Sequence, residues 1–306
     1  MITRPGPKIS QGTVMKDERS SGGGQPKVGV VVGSGGIKAI GALGLFQFLE
    51  EADIDVDLLI GCSGGSIVSA YWANGQTAAY MREHASDLWT RDLFAKTDYR
   101  TLLSIAGLPF GRFTIQNGLL KSGPIQARLK QLFGEQKLED LPTRMLIQTT
   151  DVLSGDPVLL AEGPLWKAVY ASGAIFPMMP PISIDGRWLM DGAYSSPLPI
   201  MEAIQEQMDV IIAMSFEELT TEESKGFMPY FMRTIDYFQR WLRRNQNALS
   251  VDLHHHEIVF VNVEFDRYIG LRSTRRIPEI IQAGDRAVHE KKEEILAAID
   301  SFSPRG

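Results

Sequence analysis

Two stretches decide the fold: Lys27-Val28-Gly29-Val30-Val31-Val32-Gly33-Ser34-Gly35-Gly36-Ile37-Lys38, and further on Asp57-Leu58-Leu59-Ile60-Gly61-Cys62-Ser63-Gly64-Gly65. Each begins as a continuous apolar run, the pattern of a strand buried on both faces of a parallel sheet. Each run then breaks into glycines. A helical pattern through Leu43, Leu45, Phe46 and Leu49 follows the first, and a helix from near Ser66 to a stop at Asn74-Gly75 follows the second. Strand, glycine turn and helix, twice over, predict an α/β sheet.

Outward from this pair, the pattern predicts helices over 77–94, 124–133 and 165–172, with strands over 144–149 and 158–160. Ile182-Ser183-Ile184 and Arg187-Trp188-Leu189-Met190 flank Asp185-Gly186, the signature of a two-residue hairpin. Strands over 210–214 and 257–263 and a helix over 277–299 complete the reading, with no internal repeat. Residues 1–26, rich in Pro, Gly, Ser and charge, read as a disordered tail, and 27–306 as one domain.

With 306 residues, 44% hydrophobic and 22% charged, the chain can bury a sizeable core and is not globally disordered. A net charge of −6 argues against a nucleic-acid binder, which needs a concentrated basic face. Cys62 is the only cysteine, so no disulfide forms within the chain, and the composition fits a reducing compartment such as the cytoplasm. Met1-Ile2-Thr3-Arg4-Pro5-Gly6-Pro7-Lys8 lacks the apolar core of a secretory signal. The apolar runs are of strand length, so the expectation is a soluble protein whose membrane contact, if any, is peripheral.

Three places carry chemistry. Gly61-Cys62-Ser63-Gly64-Gly65 fits G-x-S-x-G, in which a serine on a tight strand-to-helix turn is exposed as a nucleophile and Gly61 and Gly65 let the strained backbone pass. The competing reading is a glycine-rich turn with a helix-capping serine. Cys62 precedes the apex and should point away from it, as a buried spectator. The run Gly33–Lys38 exposes backbone N–H groups at a helix start, suited to a developing oxyanion or to a phosphate. A dinucleotide fingerprint from Gly33 would need glycine at Lys38, and a P-loop would need the absent Gly-Lys-Ser/Thr. Finally, Asp191-Gly192-Ala193 puts a carboxylate at a strand end, within reach of a neighbouring elbow; a plain Asp-Gly turn, the reading adopted for Asp185, is the alternative.

In order and together, Gly-Ser-Gly-Gly-x-Lys, Gly-x-Ser-x-Gly and the late Asp-Gly-Ala resemble the patatin-like phospholipases. The resemblance runs from about Lys27 to Ile295. It takes in Thr150-Asp151, Gly155-Asp156-Pro157, the stretch from Glu162 through Val169, Ala171-Ser172, Pro180-Pro181 and Pro197-Leu198-Pro199. It implies a three-layer α/β/α fold with a central mixed, largely parallel sheet, and a Ser–Asp dyad without histidine. Ser63 would be the nucleophile, Asp191 its base, and the backbone of Gly35, Gly36, Ile37 and Lys38 the oxyanion hole. The implied substrate is a lipid or other acyl ester, and no metal or organic cofactor is called for. The chain departs from the family at Ala39, where glycine is usual and an added methyl resists positive φ, at Ser34, another usual glycine, and at Ala174-Ile175-Phe176-Pro177, which replaces Ala-Ile-Pro-Gly beside the acyl pocket.

A Ser-His-Asp triad would draw on His254, His255, His256 or His289, all after Asp191. The first three precede a strand rather than follow one, and His289 lies in a helical pattern, so solvated positions are expected. Adjacent histidines on an extended segment point to opposite faces, which also disfavours a metal site. His84 is uninformative. Phe227, Phe231, Ile235, Phe238 and Leu242 recur at helical spacing with Arg233, Arg240, Arg243 and Arg244 interleaved, and Tyr230, Tyr237 and Trp241 widen the apolar side. Such a helix over 227–244 packs on its own domain or on a partner copy, or else lies on an anionic membrane. Two readings outside hydrolysis remain: a nucleotide-binding regulator using Gly33–Lys38, and a non-catalytic scaffold of the same fold.

Overall fold

Five buried residues in a row make Val28–Val32 a strand without a solvent face. This strand, β1, is central in a computed structural model that describes residues 25–302 except 95, 112, 220–225 and 254–256. The tail expected at 1–26 lies outside the described residues but for its last two, and His254, His255 and His256 lie outside them altogether.

After β1, a 3-10 turn (Gly36–Ala42) runs into α1 (Leu43–Glu51), followed by β2 (Leu58–Cys62) and α2 (Gly64–Ala73). Next come α3 (Ala78–Glu83), α4 (Ala85–Leu88), a 3-10 turn at Arg91–Phe94, α5 (Tyr99–Ile105) and α6 (Gly123–Phe133). Then follow β3 (Met145–Asp151), β4 (Pro157–Leu160), α7 (Leu165–Ser172), β5 (Ile182–Ile184), β6 (Arg187–Asp191) and α8 (Ile200–Gln205). The chain continues through β7 (Val210–Glu218), α9 (Phe227–Leu253), β8 (Glu257–Phe265) and α10 (Ile277–Asp300).

The strands form one sheet with the hydrogen-bonded path β5-β6-β3-β2-β1-β7-β8, and β4 pairs with β3. β3, β2, β1, β7 and β8 are mutually parallel, while β4 and β6 run antiparallel to β3, and β5 to β6. Because successive strand residues face opposite ways, Val28, Val30 and Val32 belong to the thicker apolar layer, under α1, α2, α7 and α10. Val31 belongs to the thinner one, under α8. This is the expected three-layer α/β/α arrangement around a mixed, largely parallel sheet.

The pairing along β3 positions everything that follows. Gln148 pairs with Cys62 on one edge and Leu159 on the other; the next residue, Thr149, pairs with Asp191 on one edge and Val158 on the other. β4 therefore occupies one edge of β3, and β2 and β6 share the opposite edge, running toward each other. Their C-terminal residues, Cys62 and Asp191, stop at consecutive β3 positions. The Asp185-Gly186 turn that aims β6 is as expected: φ is +49° at Asp185 and +79° at Gly186, the two left-handed central residues of a type I′ hairpin.

The expected helix over 77–94 is in fact α3, α4 and a 3-10 turn. It breaks at His84 (φ −104°, ψ 14°), whose backbone amide and ring Nδ1 both hydrogen-bond the Tyr80 carbonyl at the end of α3. β7 runs on past Met214 to Glu218, because the polar residues that appear to end it find partners inside the protein. The aromatic–arginine helix is longer than its pattern, with 27 residues in α9.

Candidate active site

Ser63 sits between β2 and α2 with φ +54° and ψ −124°, a strained conformation for any residue with a Cβ. What surrounds it must be small. A Cβ on Gly61 would stand 2.6 Å from the Ser66 Cα, and one on Gly65 2.4 Å from the Val32 carbonyl oxygen. The turn is held from two sides: Ser66 Oγ donates to the Ser63 carbonyl at 2.7 Å, and the Ser63 amide donates to Ser172 Oγ at 2.9 Å. Ser172 Oγ in turn donates to the Gln148 carbonyl at 2.7 Å. Ser172, at the end of α7, is a site residue that sequence reasoning left without a role; its signal is the Ala171-Ser172 pair within the family resemblance.

From β6, Asp191 meets this elbow. Ser63 Oγ donates to Asp191 Oδ2 at 2.7 Å, and the Ala193 amide donates to Asp191 Oδ1 at 2.9 Å. Gly192 between them passes so close to β3 that a Cβ there would lie 2.3 Å from the Gln148 carbonyl. Asp191 is 1% exposed. Burial pushes its pKa from 3.8 up to about 7, against the opposing pull of the Ala193 N–H and the Ser63 hydroxyl. The carboxylate is thus a base of near-neutral strength.

The glycine loop closes the third side. Gly36, at φ +54°, is its one left-handed residue, so Ala39, in the buried 3-10 turn, meets no such demand and its methyl is accommodated. The loop touches the elbow: a Cβ on Gly64 would stand 2.2 Å from Gly36 O and 2.7 Å from Gly36 N. The amides of Gly33 and Ser34 are bound to the Met214 and Pro197 carbonyls, at 2.9 and 2.8 Å. The Lys38 amide donates to the Gly35 carbonyl at 3.1 Å. This corrects the expected donor set: Lys38 enters the 3-10 hydrogen bonding, while the amides of Gly35, Gly36 and Ile37 meet no backbone carbonyl among the described residues. The Lys38 side chain is buried instead, with its ammonium 2.8 Å from Glu218 Oε1, which also accepts from the Ile269 amide. A phosphate at this loop would have to compete with Glu218 for that ammonium.

Ser63, Gly64 and the loop line a cleft that is open to solvent on one side. Its apolar lining comes from α2, α4, α6 and α7, with Ile67, Trp89, Leu129 and Val169 among its members, and from Ile175 of the departing 174–177 stretch. Lys38, Glu218, Asp236 and Arg243 line it as well, so charge and oil meet over the serine.

The family model described as "Patatin-like phospholipase" matches residues 30–204, more than half of the chain and from β1 through α8. The chain belongs to the patatin-like phospholipase family. The matched range holds the elbow, the loop and Asp191, and leaves α9 and α10 of this patatin-like chain outside. An NTE family protein of Mycobacterium tuberculosis is 30% identical over 236 residues, 76% of this chain and 60% of that protein. The lysophospholipase nte1 of Aspergillus fumigatus is 27% identical over 219 residues, 70% of this chain and 13% of that one. The chain therefore spans less than two thirds of the length of either relative. Among solved structures, VipD from Legionella pneumophila is similar over 89% of this chain and 67% of its own, with a TM-score of 0.46 at 12% identity.

No histidine among the described residues of this patatin-like chain bonds Ser63 or Asp191. His84 is held by Tyr80, and His289 is exposed on α10. Cys62 is fully buried; burial first, then the Asp191 and Glu202 carboxylates, push its thiol well above the ordinary range, so it stays protonated. Among the described residues no helix is long and apolar enough to cross a membrane.

Proposed function

We propose that this protein is a serine lipid acyl hydrolase working through Ser63 and Asp191. The single observation that carries the reading is the 2.7 Å hydrogen bond from the Ser63 hydroxyl to a buried carboxylate, beside the Gly36 backbone. Asp191 takes the Ser63 proton as Oγ attacks the acyl carbonyl. Negative charge collects on the carbonyl oxygen and is met by the amides of Gly35, Gly36 and Ile37, each such donor contributing about 3 kcal/mol. The ester bond breaks, the leaving alcohol takes the proton back from Asp191, and an acyl-Ser63 ester remains. Water, deprotonated by the same carboxylate, attacks that ester; the acyl–Oγ bond breaks, Ser63 Oγ takes the proton back from Asp191, and the fatty acid is freed. A base with a pKa of about 7 suits both proton transfers at neutral pH. The apolar lining around Trp89 and Leu129 suits the acyl chain. Family membership and the lysophospholipase name of one relative favour a lipid ester over other acyl donors.

Intact-mass labelling with a fluorophosphonate tests the proposal. The parent should take one adduct, Ser63→Ala none, and Asp191→Asn should be labelled more slowly by a factor of about 10²–10⁴. An adduct that survives Ser63→Ala, or a parent that takes none, would refute it in favour of another nucleophile or of a non-catalytic scaffold.

A further inference from the structure

α9 is built inside out. Its inward side carries Asp236, Gln239, Arg240, Arg243 and Gln246, with Met232 and Ile235 among them. Arg243 pairs with Glu217, Arg240 donates to the Glu218 carbonyl, and Gln246 Nε2 reaches the Ser195 carbonyl at 3.3 Å. Its opposite side carries Phe227 (77% exposed), Tyr230 (65%), Tyr237 (48%), Phe238 (72%) and Trp241 (63%). At 3.6 residues per turn these positions fall on one face. An ordinary surface helix has the reverse polarity. Two of the four arginines of the pattern, Arg240 and Arg243, are thus spent on the end of β7, while Arg244, over the Trp241 ring at 5.7 Å, stays exposed beside the rings.

We propose that this aromatic face docks α9 flat on a lipid surface, bringing the cavity that its inner face lines up against the membrane. The choice of occupant rests in part on the lipid hydrolase reading. Three further observations support it. The face is rich in Tyr and Trp, whose rings settle at the headgroup level of bilayers, one end apolar and the other wet. At these exposures the rings offer roughly 600 Å², taking about 200 Å² per aromatic side chain. That falls short of the ~800 Å² per partner typical of a stable protein interface. Continuity with the site is direct, because Met232, Ile235 and Gln239 of the same helix line the cavity over Ser63.

The test is flotation of the full chain with phosphatidylcholine vesicles at low and high salt, alongside hydrolysis of a water-soluble short-chain ester. The parent should float, with little effect of salt, because aromatic insertion rather than arginine drives binding. Phe238→Ser/Trp241→Ser should lower partitioning at least about tenfold, while fluorophosphonate labelling and short-ester hydrolysis stay unchanged. A double variant that floats as well as the parent would overturn the proposal. So would a parent that does not float but sediments as a dimer that the double variant loses, which would assign the face to a second copy. A parent that floats through this face yet takes no fluorophosphonate would leave the docking standing and sink the hydrolase reading instead.

Discussion

Asp191→Asn should make the protein inactive and, at neutral pH, more stable. A carboxyl whose pKa rises from 3.8 in the unfolded chain to about 7 when folded has its ionised form disfavoured by about 4 kcal/mol. The sign follows from proton uptake. Between pH ~4 and ~7 the folded protein holds a proton on Asp191 that the unfolded chain has lost, so stability falls as pH rises through that window. Below it both states are protonated and nothing is lost; above it the full penalty applies. Asparagine does not titrate. Its oxygen can still accept from the Ala193 amide, and its amide can donate to Ser63 Oγ, so the bonds at 2.9 and 2.7 Å keep their partners. The variant's advantage should therefore grow from little at pH ~4 to about 4 kcal/mol at pH ~8. For a domain of this size that is about 7 °C in Tm, taking ~2.1 cal/mol/K per residue. Thermal melts of both proteins across this range read it directly, and the parent's kcat/KM should rise to half its plateau near pH ~7. A stability gap that does not change with pH would refute the reasoning, since it would mean that Asp191 is ionised in the folded state no less readily than in the unfolded chain.

Other substitutions probe the supports. Lys38→Met leaves Glu218 buried without its cation and should cost about 3–5 kcal/mol in urea unfolding, part of it recovered by adding Glu218→Gln. Ser172→Ala strips the acceptor from the Ser63 amide and should destabilise by about 1–3 kcal/mol while slowing fluorophosphonate labelling. His289→Ala should leave kcat/KM unchanged within error; a loss of activity would revive the triad reading.

The sequence made the repeated strand–glycine–helix unit legible because buried parallel strands read as unbroken apolar runs, and β1 and β2 are such runs. It made the Asp185-Gly186 hairpin legible because turn chemistry is local. β7 was read short for the opposite reason. Ser215, Glu217 and Glu218 look like an exit to solvent, and the distant Lys38, Arg243 and Ile269 amide make the two glutamates tolerable inside. The same distance hid the orientation of α9: its arginines and aromatics obey one helical period, and which side turns inward depends on partners on β7. Similarly, Lys38 was assigned an oxyanion amide from its motif, whereas hydrogen bonding within the 3-10 turn decides where that amide goes.

Neither member of the Ser63–Asp191 pair sets the distance between them. β2 and β6 never pair with each other here; both take their register from β3, halting at Gln148 and Thr149. β3 is thus the ruler of the site, although the proposed chemistry uses none of its side chains. Slipping either neighbour by a single residue along it would move hydroxyl and carboxylate about 3.3 Å apart or together and turn one of them to the wrong face. An insertion or deletion within residues 145–151 should accordingly be as damaging to activity as deleting the serine, even where the chain still folds.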